Sequence, residues 1–145
     1  MVFQILYIED DSFDARLMQE AMSASSIPHE LTIVSDGAGG LARIRAGARA
    51  VPPWRPDIVM CDLHMPGMGG HDFLRAIKAD TSLRQVPIII LSSSESDSEI
   101  ALCYELHANC VVRKPSSFEQ LRTTVQRLTD FWLATVVMPR QGVHL

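Results

Sequence analysis

Four apolar segments of the chain each run into polar residues that could take part in phosphate chemistry. The four endings are Glu9, Asp10 and Asp11 after residues 5–8, Asp62 after residues 58–61, Ser92 after residues 88–91, and Arg113 and Lys114 after residues 110–112. A carboxylate can attack a phosphoryl group and become an acyl phosphate, while a hydroxyl and an ammonium can bind the phosphoryl oxygens. If the segments are neighbouring parallel strands, these groups share one edge of the sheet, where open α/β proteins bind ligands. The sequence then predicts a single crevice that holds carboxylates, a hydroxyl and an ammonium.

The three consecutive carboxylates of Glu9, Asp10 and Asp11 point to a metal ion. Acidic residues favour the first turn of a helix, and this alternative explains one or two of them. Three like charges at the end of a buried strand repel one another, and a divalent cation would relieve that repulsion. Hard cations such as Mg²⁺ take oxygen ligands. We therefore expect a Mg²⁺ ion between Asp10 and Asp62, where it would neutralise the nucleophile and the incoming phosphoryl oxygens.

Each of the remaining groups also has an ordinary structural explanation. Asp62 precedes a Pro-Gly turn and Lys114 precedes a proline, so either could be a simple turn residue. Ser92 begins a cluster in which five of seven residues are serine, and most of these can serve as turn or cap groups. However, these separate explanations would have to place every group at the same sheet edge independently. The occurrence of all the groups together therefore favours a functional site.

Apolar strands and amphipathic helices alternate along the chain. The predicted strands are residues 4–8, 30–34, 58–61, 88–91 and 110–112, each followed by a helix. Four residues could cap the first and the last helix: Asp11 or Ser12, and Ser116 or Ser117. Asn109 is expected to end the fourth helix in the left-handed conformation. Because βα crossovers are right-handed, this alternation predicts an α/β fold with one doubly wound parallel sheet.

A proline-rich segment, residues 46–56, interrupts this pattern before the third strand. Its three prolines predict a loop, and Trp54 is expected to hold that loop against the body of the domain.

Composition narrows the class of protein. A chain of 145 residues with 47% hydrophobic content is expected to form one domain. The net charge of −4 argues against a general nucleic-acid surface. No apolar run approaches the ~20 residues of a membrane span, and no signal sequence is visible, so we expect a soluble cytoplasmic protein. Cys61, Cys103 and Cys110 have no metal-binding spacing and are expected to be buried, reduced thiols.

These residues resemble the receiver domain of two-component response regulators. The resemblance rests on Glu9-Asp10, Asp62 with Met65-Pro66-Gly67, Ser92 and Lys114-Pro115, and it covers residues 3–128. It implies a flavodoxin-like (βα)5 fold with strand order 2-1-3-4-5. It also implies that Asp62 accepts a phosphoryl group from a phosphohistidine of a sensor kinase. Asp10 and Asp62 would bind Mg²⁺ through their side chains, His64 through its backbone carbonyl and Glu9 through water, while Ser92 and Lys114 would contact the phosphoryl group.

A narrower resemblance points to the small stand-alone regulators that partner bacterial and cyanobacterial phytochrome histidine kinases. It is carried by residues 105–110, 113–115 and 130–133, by Met138-Pro139, and by the long proline-rich loop. Those regulators are receivers without an output domain. The expected organisation is a receiver over residues 1–128 and a C-terminal extension over residues 129–145, which is too short for a DNA-binding domain.

The C-terminal extension is unusually apolar. It contains a dense apolar segment formed by Phe131, Trp132, Leu133, Val136, Val137 and Met138. They could fold back as a cap on the same molecule, but exposed patches of this composition often mark an interface. We therefore expect a symmetric homodimer formed by the last helix and this extension.

Two departures from the receiver pattern affect the expected mechanism. Receivers usually have Tyr or Phe three residues before the conserved lysine, where this chain has Val111, so another element must transmit the signal. His64 and Ser94 occupy positions that flank the phosphoryl group in receivers, and His64 could either orient a hydrolytic water or remain a solvated loop residue.

Two other functions compete with the receiver reading. A small Mg²⁺-dependent hydrolase or phosphotransferase of the haloacid-dehalogenase type would need an acid two residues after the nucleophile, where this chain has His64. A pseudo-receiver that binds partners without phosphorylation would be expected to lack an acid or the lysine, and none is missing. The sequence therefore favours a phosphorylated switch over an enzyme that turns over small substrates.

Overall fold

Five parallel strands form one sheet in the computed structural model, which describes residues 1–140. The strands are β1 (Phe3–Ile8), β2 (His29–Val34), β3 (Ile58–Asp62), β4 (Ile88–Ser92) and β5 (Cys110–Arg113). They are ordered β2-β1-β3-β4-β5, which confirms the predicted doubly wound, flavodoxin-like topology. The order reverses direction between β1 and β3, so their carboxyl ends border the crevice where such sheets bind ligands.

Helices cover both faces of the sheet. They are α1 (Ser12–Ser23), α2 (Gly37–Ala48), α3 (Gly70–Ala79), α4 (Asp97–Glu105) and α5 (Phe118–Trp132). Alternate residues of β1 face opposite sides: Leu6 packs with α2 and α3, and Ile5 packs with α1 and α5. Every residue of β3 and β4 is buried, because these central strands are covered on both faces. This buried scaffold fixes the positions of the residues that follow each strand.

The helix ends follow local chemistry, with one correction to the prediction. Asp11 caps α1 by accepting a hydrogen bond from a backbone amide in the first turn, and Ser117 caps α5 in the same way. The prediction that Asn109 adopts the left-handed conformation is wrong, because His107 does so with φ of 69°. The side chain of Asn109 instead accepts a hydrogen bond from the Ile88 amide at 2.8 Å. Its amide group is therefore used to fix the start of β4.

The proline-rich loop begins three residues later than predicted, because α2 continues to Ala48. Trp54 holds the loop as expected. The indole Nε1 of Trp54 donates to Gln4 Oε1 at 2.9 Å, and the Arg43 guanidinium stacks 3.8 Å from the ring centroid. The Trp54 backbone amide also donates to the Gly47 carbonyl at 2.8 Å. These contacts join the loop to β1 and α2.

The three cysteines are free thiols, with Cys61 and Cys103 buried and Cys110 half-buried. Burial raises the pKa of the Cys61 thiol. Within residues 1–140, none of the helices has the length and apolar character required to cross a bilayer.

The C-terminal extension is partly folded onto its own domain. Helix α5 continues to Trp132, and Leu133 is buried against the α1 and α5 side of the core. Trp132 and Met138 pack against the same cluster. Phe131 and Val137 remain 54% and 95% exposed. The last five residues of the extension, 141–145, lie outside the described residues.

Candidate functional site

Three acidic residues meet where β1 and β3 end. Ile8 pairs with Cys61 across the two strands, so Glu9 and Asp62, the next residues, are brought side by side. Carboxylate oxygens of Glu9, Asp10 and Asp62 lie within 4.8 Å of one another. Glu9 and Asp62 are only 2% and 8% exposed, whereas Asp10 is exposed. The predicted acidic cluster therefore exists and has a buried side and an open side.

Lys114 reaches this cluster from the end of β5. Its backbone amide donates to the Ser92 carbonyl at 2.8 Å, which extends the pairing of β4 with β5. Its ammonium Nζ lies 2.5 Å from Glu9 Oε1 and 3.6 Å from Asp62 Oδ2. The lysine thus meets Asp62 as predicted, although it is closer to Glu9.

Ser92 ends β4 at the same edge of the sheet. Leu91 is the strand partner of Asp62, so Ser92 lies one residue beyond it. Ser92 is 2% exposed, and its Oγ accepts a hydrogen bond from the Ser94 amide at 3.0 Å. The hydroxyl hydrogen of Ser92 is therefore left for another acceptor.

The side chain of His64 is directed towards α4. Its Nε2 lies 2.6 Å from Glu99 Oε2, although the imidazole is 61% exposed. The Nε2 of His71, on α3, donates to the backbone carbonyl of Glu99 at 3.1 Å. Two histidines therefore connect the loop after β3 and the start of α3 to the first turn of α4.

Electrostatics in the cluster are dominated by burial and crowding. Burial, together with the neighbouring Asp62, raises the pKa of Glu9 to about 7, although the hydrogen bond from Lys114 opposes this. Burial alone would lower the pKa of Lys114, but its hydrogen bonds to Glu9 and Asp14 outweigh burial and raise it. The Lys114 ammonium is therefore kept charged, while the ionised form of the Glu9 carboxylate is disfavoured.

The donor set fits a hard divalent cation. Three carboxylates converge, and the second oxygen of Glu9, Oε2, is buried and receives no hydrogen bond from the residues that the structure describes. A buried carboxylate oxygen without a donor is costly unless a cation or an ordered water satisfies it. Oxygen ligands at the mouth of a crevice are typical of Mg²⁺ sites, which keep several waters.

Sequence reasoning missed two contributors to the cluster. Asp14 Oδ2 lies 2.9 Å from Lys114 Nζ, and the Tyr7 hydroxyl donates to Glu9 Oε1 at 3.2 Å. Asp14 could have been found because it falls in the first turn of the helix that begins directly after Glu9, Asp10 and Asp11. Tyr7 gave no signal, since it lies inside an apolar strand and is 1% exposed.

An aromatic residue does lie beside β5, but it comes from α4. The backbone amide of Val111 donates to the hydroxyl of Tyr104 at 3.1 Å. The Tyr104 side chain is half-exposed. The position that Val111 leaves without a ring is therefore contacted by a neighbouring helix.

The (βα)5 sheet carries acids, a hydroxyl and a lysine at its carboxyl edge. This combination of fold and site is that of an α/β signalling switch. The response regulator receiver domain family matches residues 5–126, and the chain belongs to that family. It is therefore a receiver-domain response regulator, a signalling switch.

Individual relatives agree over almost the whole chain. The response regulator Rcp1 of Synechocystis sp. is 35% identical over 135 residues, which cover 93% of this chain and 92% of Rcp1. The crystal structure of the phosphorylated cyanobacterial phytochrome response regulator RcpA superposes with a TM-score of 0.89 at 35% identity, covering 97% of this chain and all of RcpA. The Mn²⁺-bound form of Rcp1 gives a TM-score of 0.86 at 34% identity, covering 95% of this chain and 99% of that chain.

Proposed function

We propose that this response regulator accepts a phosphoryl group on Asp62 from a phosphohistidine of a sensor kinase, in a Mg²⁺-dependent reaction. The observation that carries the proposal is the convergence of Asp62 with the carboxylates of Glu9 and Asp10 and with the Lys114 ammonium at 3.6 Å. These are the groups that a phosphoryl transfer to a carboxylate requires, and they come from three separate strands.

The chemistry follows from the arrangement. A carboxylate oxygen of Asp62 attacks phosphorus in line with the leaving imidazole, so that a P–O bond forms while the P–N bond breaks. Ser92 donates its hydroxyl hydrogen to one phosphoryl oxygen, and Lys114 binds another as a point charge. Loss of one such positioned donor typically costs ~3 kcal/mol in the transition state. The residues of the chain thus act by positioning and by charge stabilisation.

Asp10, Asp62 and the backbone carbonyl of His64 would hold Mg²⁺ directly, and Glu9 would hold it through water. When bound, the ion supplies positive charge that offsets the crowded carboxylates and the phosphoryl oxygens. Within residues 1–140, Glu9 Oε2 is buried and has no hydrogen-bond partner, which supports this assignment. The Mn²⁺-bound form of Rcp1 is consistent with a divalent ion in a related protein.

We further propose that the kinase is a phytochrome and that the protein works in the cytoplasm. The support is the likeness to RcpA, a cyanobacterial phytochrome response regulator. Phosphotransfer profiling against phytochrome and other sensor kinases tests the pairing. Preferential transfer from a non-phytochrome kinase would contradict it.

The proposed phosphorylation is tested with acetyl phosphate and Mg²⁺, followed by intact-protein mass spectrometry. The wild type should gain one phosphoryl group and keep it for at least seconds, and Asp62→Asn should gain none. Asp72→Asn is a matched control, because Asp72 is an exposed acid on α3 that pairs with Arg75. If Asp62→Asn is labelled like the wild type, Asp62 is not the phosphoacceptor. If neither the wild type nor any variant is labelled, the protein is a pseudo-receiver. Rapid turnover of small phosphate esters would indicate an enzyme.

We also propose a homodimer through α5 and the C-terminal extension. Among residues 118–140, Phe131 and Val137 are the large apolar side chains that remain exposed, and Leu133 is already used in the core. Truncation before Leu133 would therefore damage the domain itself, so point substitutions are the better test. Phe131→Glu combined with Val137→Glu should give a monomer by light scattering, and Val51→Glu, at a 98% exposed loop position, should remain dimeric. A monomeric wild type, or a double variant that stays dimeric, would contradict the proposed interface.

A further inference from the structure

Lys114 has more acidic partners than the receiver motif accounts for. Its ammonium lies 2.5 Å from Glu9, 2.9 Å from Asp14 and 3.6 Å from Asp62. Nitrogen–oxygen hydrogen bonds between charged groups are about 2.7–2.9 Å long, so the Asp62 contact is an ion pair without a full hydrogen bond. In this state Lys114 is bonded to Glu9 and Asp14 and only approaches Asp62.

The position of Asp14 is set by helix α1. Asp14 lies in the first turn, and its backbone amide donates to the capping side chain of Asp11 at 2.9 Å. The helix packs along α5, which keeps its first turn beside the end of β5. The Asp14 carboxylate is therefore presented to Lys114 by a fixed element.

We propose that Asp14 is a positioning residue that holds Lys114 in the unphosphorylated protein and releases it to the phosphoryl group on Asp62. The inference rests on the proposed phosphorylation of Asp62. In this scheme Asp14 competes with the phosphoryl group for one ammonium and so opposes phosphorylation.

Solvent exposure determines whether Lys114 loses its bond to Glu9 or its bond to Asp14. A phosphoryl group adds up to two negative charges next to Asp62. Lys114 has a third N–H donor for it, but its ammonium lies 3.6 Å from Asp62 and has to move towards that residue, which lengthens its bond to Glu9 or to Asp14. The side chain of Glu9 is fully buried, so without Lys114 its carboxylate would keep the Tyr7 hydroxyl as its hydrogen-bond donor among the described residues and could not be hydrated from bulk solvent. The Asp14 side chain is 36% exposed, so water can replace the ammonium there at low cost. Asp14 is therefore the partner that Lys114 leaves.

The rate of phosphorylation by acetyl phosphate at saturating Mg²⁺ tests the proposal. Asp14→Asn keeps the shape of the side chain but loses its charge, and it should be phosphorylated about five-fold faster than the wild type. Asp14→Glu should restore a rate near that of the wild type, and Asp14→Ala repeats the test with a second neutral residue. Asp11→Asn is the matched control, because it removes one charge from the same turn while asparagine still caps the helix.

A second measurement reports on the contact itself. The chain has two lysines, Lys78 and Lys114, so lysine-selective ¹³C labelling gives two side-chain Cε signals in an NMR spectrum. In unphosphorylated Asp14→Asn the Lys114 signal should shift. The Lys78 signal should stay unchanged, because the Lys78 ammonium donates to the backbone carbonyls of Arg84 and Val86.

The two measurements separate the possible failures. An unchanged or slower rate in Asp14→Asn, an equal acceleration in Asp11→Asn, or an unshifted Lys114 signal would overturn the role of Asp14. Failure of the wild type itself to accept a phosphoryl group would instead refute the proposed function, and the NMR comparison would still report whether Asp14 holds Lys114.

Discussion

Asp10→Asn should make the metal-free protein more stable and the Mg²⁺-bound protein less stable than the wild type. In the absence of metal, carboxylates of Glu9, Asp10 and Asp62 lie within 4.8 Å of one another. Two unit charges at that distance repel by about 3.5 kcal/mol at an effective dielectric constant of ~20 and by about 0.9 kcal/mol in water. Asp10 is exposed, so the lower value applies to each of its two neighbours. After screening by salt, we expect a net gain of about 1 kcal/mol in the free energy of unfolding.

Mg²⁺ should make the wild type more stable than Asp10→Asn. Binding to the folded state stabilises it by RT ln(1 + [Mg²⁺]/Kd), which is about 2.7 kcal/mol at roughly 100 times Kd. Asp10→Asn replaces an anionic ligand with a neutral one, so its Kd rises and its gain at the same concentration is smaller. Asp10→Asn should therefore have the higher free energy of unfolding in EDTA, and the wild type should have the higher one in excess Mg²⁺.

Urea unfolding at about pH 8, where Glu9 with its pKa of about 7 is largely ionised, measures both states. Asp11→Asn controls for the loss of one charge and should show neither effect, because Asp11 lies outside the cluster and its capping role survives. High salt should reduce the difference seen in EDTA. A metal-free Asp10→Asn protein less stable than the wild type, or equal Mg²⁺ increments in both, would refute the reasoning.

Three further predictions concern Glu9, Lys114 and a glycine contact. In EDTA the wild type should lose stability as the pH rises from 4.5 towards 7, because burial raises the pKa of Glu9 in the folded state and the folded protein holds that proton more tightly. Lys114→Met should cost about 3 kcal/mol at high pH and less at about pH 5, where the buried Glu9 can take up a proton, and urea unfolding across this pH range checks both statements. Gly47→Ala should cost about 2 kcal/mol by the same assay, since its new methyl group would collide with the backbone carbonyl of Trp54; no loss would show that the proline-rich loop moves freely away from α2.

The strands and the groups at their ends could be predicted from the sequence. Apolar runs such as residues 58–61 and 88–91 are too short for buried helices and are fully buried in the sheet. Once parallel pairing is assumed, the residues that follow them must share an edge. For this reason Asp62, Ser92 and Lys114 could be assigned to one site before any coordinates.

Details that depend on side-chain reach could not be predicted. The left-handed residue at the end of α4 is His107, because the helix ends at Glu105 with Leu106 as its C-cap. Asn109 instead bonds the start of β4 through its side chain, a contact between residues 21 positions apart. The C-terminal extension divides into buried and exposed residues only because Leu133 meets a core formed by α1 and the central strands. Apolar composition alone gave no means of separating Leu133 from Val137.

The sequence by itself determined which chemical groups end each strand and that the strands form one parallel, doubly wound sheet, because both follow from local periodicity and the handedness of βα crossovers. The strand order was implied by the family resemblance. The tertiary structure decided how those groups share one ammonium. Lys114 and Glu9 are 105 residues apart in the chain, and they meet because the sheet brings the ends of β1 and β5 to one edge. The contact of Lys114 with Asp14 also requires α1, which packs against α5, to lie beside that edge.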